Sequence, residues 1–215
     1  MRLSRLIFDL DNTLYPPACG VVERVHALIT SFMVERLAMT TERADALRAR
    51  YRAELGTTLN GLMRDFAISP DEYLEHVHAI EIEELLRPDP ALLTMLQALP
   101  HDKIIFTNGS AAHAERVLAC LGIRECFTDV FSLERVDYVP KPQRAAFESV
   151  LRAVGAAPEE CLLIDDRIDN LITAHALGMR TLLVGSAAVP AASGIEHAVL
   201  SILELADALR AVSIV

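Results

Sequence analysis

Short, continuous apolar runs recur along the chain and are separated by stretches with helical spacing. The strongest runs are Leu6-Ile7-Phe8, Ile104-Ile105-Phe106, Cys161 to Ile164 and Thr181 to Val184, with Val130-Phe131 and His197 to Leu200 as weaker candidates. Uninterrupted apolar runs of this length are typical of strands buried on both faces of a parallel sheet. The pattern therefore predicts an α/β fold with a Rossmann-like three-layer αβα core around a parallel sheet.

One long segment departs from this alternation. Residues 17–87 contain no strand-like run, and their apolar residues follow helical spacing, as at Val25, Leu28 and Phe32. We therefore expect two domains: a core formed by residues 1–16 and 88–215, and an α-helical cap, residues 17–87, inserted after the first strand.

Composition and charge narrow the classes of partner. The 215 residues carry 20 Lys and Arg against 30 Asp and Glu, a formal net charge of −10, and 52% of them are hydrophobic. An acidic surface without a basic run disfavours a nucleic-acid polymer as partner. The high hydrophobic content excludes general disorder. We expect a compact globular protein, either a monomer or a homodimer.

The location of the protein is predicted from what the chain lacks. The apolar run near the N-terminus ends after Phe8, which is too short for a signal peptide, and no stretch reaches the ~18 apolar residues needed to cross a bilayer. The four cysteines form no C-x-x-C pair. We therefore expect a cytoplasmic protein with reduced thiols, no zinc site and no membrane partner.

Polar residues follow several of the predicted strands. In open parallel sheets, ligands bind outside the carboxyl ends of the strands, so these side chains should meet in one crevice. The set comprises Asp9, Asp11, Thr107, Asn108, Asp165 and Asp166, joined by Lys141 from a proline-flanked loop.

Such a set has a definite chemical capacity. Four carboxylates close together require a counter-charge, and oxygen ligands with phosphate and water suit Mg²⁺. Lys141 and the Thr107 hydroxyl could then hold phosphate oxygens. A carboxylate nucleophile would form an aspartyl-phosphate, and a second carboxylic acid could protonate the leaving oxygen.

Four ordered motifs resemble the haloacid dehalogenase-like hydrolase superfamily. They are Asp9-Leu10-Asp11-Asn12-Thr13, Thr107-Asn108-Gly109, Lys141-Pro142 and Asp165-Asp166-Arg167-Ile168-Asp169-Asn170. They occur in family order, and the resemblance covers essentially the whole chain. One such motif is a weak signal, whereas four in order, each after the expected element, are specific.

The resemblance implies roles for the matching residues. Asp9 is implied as nucleophile and Mg²⁺ ligand, and Asp11 as general acid and base with its backbone carbonyl on the metal. Thr107, Asn108 and Lys141 are implied at the phosphoryl group. Asp166, with Asp165 close by, is implied to complete the metal site, and which of the two binds the metal directly stays open.

Details within the motifs favour one branch of the superfamily. The dehalogenase branch lacks an acid at the position of Asp11, and the hexose-phosphate mutase branch has a cap histidine where this chain has Val21. The resemblance therefore implies a phosphatase. Asp11-Asn12-Thr13-Leu14-Tyr15-Pro16, with Tyr51 and the segment Gly56 to Leu62, is most similar to pyrimidine 5′-nucleotidase-like proteins. This similarity implies a nucleoside monophosphate, such as UMP or CMP, as substrate.

Several alternatives stay open at this stage. A sugar phosphate or phosphoglycolate could replace the nucleotide as substrate, and a non-catalytic regulatory protein could keep the fold and bind a phosphate ligand. Tyr15 could stack on a base or simply pack, and the segment from Gly56 to Gly61 could contact substrate or form a turn. His113 and His175 are expected on the surface or lightly packed.

Overall fold

The computed structural model describes residues 3–189, 191 and 193–211. The described chain divides into two compact units. The first joins the chain up to Cys19 with the chain from Leu86 onwards, and the second is Gly20–Leu85. Within the described ranges, no helix has the length and apolar character that a membrane crossing requires.

A parallel sheet forms the centre of the first unit. Its described strands are β1 (Arg5–Phe8), β2 (Asp102–Phe106), β3 (Asp129–Phe131), β4 (Cys161–Asp165), β5 (Arg180–Val184) and β6 (His197–Val199). They lie in the order β3-β2-β1-β4-β5-β6, and every neighbouring pair is parallel. The predicted Rossmann-like α/β fold is confirmed, and the weak runs near residues 130 and 198 do form strands.

The strand order places β1 and β4 side by side in the middle of the sheet. Chain order runs outward from β1 to β3 on one side and from β4 to β6 on the other. The reversal between β1 and β4 creates the crevice at which ligands bind in open parallel sheets. Asp9 directly follows β1, and Asp165 is the last residue of β4.

Helices flank this sheet. Those of the first unit are α6 (Pro90–Ala98), α7 (Ala111–Leu121), α8 (Arg144–Val154), α9 (Ile168–Ala176) and α10 (Leu205–Ala211), with 3-10 turns at Pro17–Cys19, Arg124–Cys126, Glu134–Val136, Pro158–Glu160 and Ile202–Glu204. Apolar faces anchor them: Phe147 of α8 meets Phe106 of β2 edge to face, with 5.3 Å between ring centroids.

The second unit consists of helices in the residues that the structure describes. They are α1 (Val21–Leu37), α2 (Thr41–Leu55), α3 (Thr58–Phe66), α4 (Pro70–Val77) and α5 (Ile82–Leu85). The starts of α2, α3 and α4 follow local capping chemistry, since the side chains of Thr40, Thr57 and Ser69 each accept a backbone N–H of the first turn. This unit lies within the predicted insert 17–87, and its role as a cap stays a prediction.

Gly61 has a packing role in the second unit. A Cβ built on it would lie 2.1 Å from Cγ of Tyr51, so the glycine backbone fits directly against the face of that ring. The Tyr51 ring is fully buried, and its hydroxyl donates to Asp65 at 2.8 Å. The pairing of Tyr51 with Gly61 in the sequence therefore has a structural reason that requires no substrate. Contact of the Gly56 to Gly61 segment with substrate stays a prediction.

We expect Gly61→Ala to destabilise the second unit by about 1–3 kcal/mol, because the added methyl group must displace a buried ring. The check is a urea unfolding curve followed by far-ultraviolet circular dichroism. The matched control is the same substitution in a Tyr51→Ala background, where the ring is gone and the added methyl should cost much less. An equal cost in both backgrounds would contradict this packing explanation.

Candidate functional site

The turn after β1 holds the first two predicted site residues. The backbone N–H of Asp9 donates to the carbonyl of Ile164 at 2.9 Å, so the β1–β4 ladder continues into the site. The Thr13 hydroxyl donates to Oδ2 of Asp9 at 2.9 Å. Asn12 between them adopts a left-handed conformation, φ 63°, which turns the chain tightly. Thr13, the last residue of this motif, thus orients the carboxylate of Asp9, the first.

Two loops at this edge of the sheet are tied together by Asn108. Its side-chain amide donates to the Lys141 carbonyl, and its side-chain oxygen accepts the Lys141 N–H, both at 2.9 Å. The buried Thr107 hydroxyl accepts the N–H of Gly109 at 2.9 Å. Asn108 therefore fixes the backbone that carries Lys141, and its predicted contact with phosphate stays a prediction.

Lys141 supplies the positive charge of the site. Its Nζ lies 2.7 Å from Oδ1 of Asp9 and 2.8 Å from Oδ2 of Asp165, and its side chain is 1% exposed. A buried ammonium is tolerated when carboxylates pair with it. The two carboxylates raise the pKa of Lys141 against the opposing effect of burial, so the side chain stays charged.

Asp165 is held on both of its carboxylate oxygens. Oδ1 accepts from the N–H of Arg167 at 2.8 Å and from Asn170 Nδ2 at 3.0 Å. Oδ2 accepts from Lys141 at 2.8 Å and from the same Asn170 amide at 2.9 Å. This fully buried carboxylate therefore fixes the start of α9 and the Lys141 ammonium in the same place.

Three carboxylates gather where a metal was predicted. Oxygens of Asp9, Asp165 and Asp166 lie within 4.8 Å of one another. Burial is the main cause that raises the pKa of Asp9 to about 8 and that of Asp166 to about 6, and nearby carboxylates add to it. Clustered, desolvated carboxylates of this kind are stabilised by a hard cation, so the donor set fits Mg²⁺.

The structure brings together the predicted residues and adds two contacts to Asp11 that the sequence did not predict. Nε2 of His113 lies 2.8 Å from Oδ1 of Asp11, and the Tyr15 hydroxyl donates a hydrogen bond to the same oxygen. The expectation that His113 is a surface or lightly packed residue is wrong, since it is 1% exposed, whereas His175 is exposed and fits the same expectation.

The position of His113 in its helix explains the contact. The Ser110 side chain caps α7 by accepting the His113 N–H at 3.2 Å, so His113 lies in the first turn, directly after the Thr107 loop. Side chains of helical residues lean toward the N-terminus of the helix, which here directs the imidazole back to the site. The sequence signal that could have predicted this contact is a polar residue, His113, in the first turn of the helix that follows the Thr107 loop.

Comparisons with known proteins bear on these observations. The protein-family model described as haloacid dehalogenase-like hydrolase matches residues 4–178. The chain is 26% identical over 189 residues to Phosphate metabolism protein 8 of Saccharomyces cerevisiae, covering 80% of this chain and 58% of that protein. It is 26% identical over 197 residues to Glyceraldehyde 3-phosphate phosphatase of Methanothermobacter thermautotrophicus, covering 86% of each. The chain thus spans less than two thirds of the yeast relative.

A solved structure shows the same fold. The magnesium-bound HAD-hydrolase YfnB of Bacillus subtilis superimposes with a TM-score of 0.60 at 19% sequence identity, covering 97% of this chain and 99% of that one. At this identity the likeness concerns the arrangement of helices and strands.

Proposed function

The chain belongs to the haloacid dehalogenase-like hydrolase family, and from that premise we propose that it is a phosphatase that hydrolyses a small phosphomonoester through Asp9. The observation that carries the proposal is the Asp9 carboxylate, held by Thr13 and Lys141 beside a carboxylate cluster. A second acid, Asp11, lies two residues on. A dehalogenase has no use for an acid there, because a halide leaves without a proton.

The proposed reaction has two steps, transfer of the phosphoryl group to Asp9 and its hydrolysis by water. A carboxylate oxygen of Asp9 attacks phosphorus, the bond to the leaving oxygen breaks, and protonated Asp11 gives that oxygen its proton. Water then attacks phosphorus while Asp11 takes up a proton, and the bond between Asp9 and phosphorus breaks to release inorganic phosphate. Asp9 is thereby regenerated as a carboxylate and Asp11 as an acid.

The remaining residues hold the transferring group. Lys141 and the Thr107 hydroxyl bind phosphoryl oxygens, and Asn108 keeps the Lys141 backbone in place. Asp9, Asp166 and the backbone carbonyl of Asp11 would hold Mg²⁺, while Asp165, whose oxygens both accept protein donors, orients Lys141. When bound, the ion neutralises the carboxylates and the phosphate charge.

The substrate class is proposed at two levels. A small phosphomonoester follows from the site, and a nucleoside monophosphate such as UMP or CMP follows from the similarity to pyrimidine 5′-nucleotidase-like proteins. A triose phosphate is the second candidate, because the archaeal relative is a glyceraldehyde 3-phosphate phosphatase. We place the protein in the cytoplasm, with residues 17–87 as a cap.

A panel of esters tests the proposal. Phosphate release is measured with UMP, CMP, AMP, glyceraldehyde 3-phosphate and phosphoglycolate, each with Mg²⁺ and with chelator. We expect release that requires Mg²⁺ and is fastest with UMP or CMP. A preference for glyceraldehyde 3-phosphate would overturn the nucleotide and keep the mechanism. Release that persists in chelator would overturn the metal site, and no release from any ester would favour a binding protein.

Mg²⁺ should raise the unfolding temperature of the wild-type protein and have little effect on Asp166→Asn. Binding to the folded state stabilises it by about 2.7 kcal/mol when the ion is a hundredfold above its Kd, and this variant loses a proposed ligand. The matched control is Asp169→Asn, which changes an exposed acid three residues away that pairs with Arg167 at 2.6 Å. Thermal melts with and without Mg²⁺ provide the check, and equal shifts in both variants would contradict the assignment of Asp166.

A further inference from the structure

We infer that His113 and Tyr15 are positioning residues that hold the Asp11 carboxyl group so that its Oδ2 atom delivers the proton to the leaving oxygen. The inference rests on the proposed phosphatase function and adds two residues to it. Both side chains contact Asp11 on Oδ1, the Tyr15 hydroxyl as a hydrogen-bond donor and Nε2 of His113 at 2.8 Å.

The chemistry of a carboxylic acid explains why both contacts fall on one oxygen. An oxygen that accepts two hydrogen bonds acts as the carbonyl oxygen of the acid, so the acidic proton resides on the other oxygen. The arrangement requires the His113 tautomer that carries its proton on Nε2. Tyr15 donates its hydroxyl proton, because a phenol stays protonated at neutral pH.

Oδ2 of Asp11 lies near the same residue as the Thr107 hydroxyl, which is proposed to bind the phosphoryl group. A Cβ built on Gly109 would lie 3.6 Å from Oδ2 of Asp11 and 3.3 Å from the Thr107 hydroxyl. Oδ2 of Asp11 and the Thr107 hydroxyl therefore flank the same glycine, which contributes no side chain between them. Two donors on Oδ1 stop the carboxyl group from rotating and exchanging its oxygens.

The His113 donor is itself rigidly placed. The Ser110 side chain accepts the His113 N–H, and the Glu134 carboxylate accepts the N–H of Ala111 at 3.1 Å, so the first turn of α7 is anchored at two points. A group fixed in this way holds a catalytic acid in its productive geometry without touching the substrate.

Leaving groups of different stability separate positioning from simple packing. We compare kcat/KM for p-nitrophenyl phosphate with that for UMP or glyceraldehyde 3-phosphate, whichever alkyl ester the wild type hydrolyses faster. The nitrophenolate leaves readily without a proton, whereas an alkoxide requires one. Because kcat/KM covers the steps up to departure of the leaving group, it excludes the later attack of water.

We expect His113→Leu and Tyr15→Phe each to lower kcat/KM for the alkyl ester roughly tenfold to a hundredfold, a part of what a general acid contributes. The aryl ester should change by no more than a few-fold. His113→Gln, whose amide can donate from near the Nε2 position, should recover most of the alkyl activity. The control is Tyr73→Phe, which removes a buried tyrosine hydroxyl in the second unit and should affect neither ester.

A second comparison tests whether the effect runs through Asp11. In an Asp11→Asn background, His113→Leu and Tyr15→Phe should add no further selective loss, since the acid they position is gone. Equal losses for both esters in the variants, or no loss at all, would overturn the inference and leave the phosphatase standing. If His113→Leu fails to fold, the isosteric Tyr15→Phe decides. If the wild type hydrolyses neither ester, the proposed function is wrong and the inference falls with it.

Discussion

Asp9→Asn should abolish phosphate release, lowering kcat by roughly four orders of magnitude or more, while the protein stays folded. An amide is not a nucleophile toward phosphorus, so the covalent step is lost. The amide has the same shape as the carboxylate and can keep both of its hydrogen-bond partners. Its oxygen can accept from Lys141, and its nitrogen faces Thr13, whose hydroxyl can accept as well as donate.

The fold of the Asp9→Asn variant has a further reason to survive. Burial raises the pKa of Asp9 to about 8, which means that the ionised form is costly in the metal-free protein. A neutral amide removes that cost. Loss of activity with an unchanged circular dichroism spectrum and an unfolding midpoint no lower than that of wild type would therefore be a loss of chemistry.

The covalent intermediate offers a direct measurement. Rapid acid quenching of wild type with substrate, followed by borohydride reduction, should convert phosphorylated Asp9 to homoserine and change the mass of its peptide. The peptide should be unchanged in Asp9→Asn. In Asp11→Asn the intermediate should accumulate with an aryl ester, because the base that activates water is missing. Modification of another carboxylate in wild type would contradict the assignment of Asp9.

The sequence predicts the sheet and most of the site for a simple physical reason. Strands buried on both faces must be continuously apolar, so Leu6 to Phe8 and Cys161 to Ile164 can be recognised without a partner. Parallel strands end at one edge, which brings Asp9, Thr107 and Asp165 together once the strands are known. These inferences need only local patterns and one rule of topology.

The contacts between side chains required the structure. Helical periodicity shows that His113 lies on a particular face of α7 but does not show that this face meets Asp11, about a hundred residues earlier in the chain. The reciprocal pair between Asn108 and the Lys141 backbone is equally invisible, because it depends on how two loops approach each other. The sequence also left open which of Asp165 and Asp166 binds the metal directly, and it could not show that both carboxylate oxygens of Asp165 accept hydrogen bonds from the protein.

Removing the Lys141 ammonium should cost the protein both stability and activity. In Lys141→Met the chain keeps similar volume, but Asp9 and Asp165 lose the cation that lies within 2.8 Å of both. Breaking a buried ion pair by deleting one partner typically costs about 3–5 kcal/mol, because the remaining charge is left uncompensated. Phosphate release should also fall by at least roughly a hundredfold, since the ammonium that would bind the phosphoryl oxygens is lost.

The stability measurement is urea unfolding in chelator, followed by circular dichroism because the chain has no tryptophan. Lys103→Met is the matched control. Lys103 is also buried, but its ammonium donates to the backbone carbonyls of Leu99 and His101, at 2.7 and 2.9 Å. Its loss should therefore cost less, ~2 kcal/mol, and should leave phosphate release near the wild-type rate.

The double variant Lys141→Met/Asp165→Asn distinguishes charge from packing. If the cost of Lys141→Met is the uncompensated charge of the buried Asp165 carboxylate, neutralising Asp165 in the same protein should restore part of the lost stability. If the cost is only the loss of a well-packed side chain, the second substitution should restore nothing. A Lys141→Met variant no less stable than Lys103→Met would contradict the role of Lys141 as the cation that makes this carboxylate cluster tolerable.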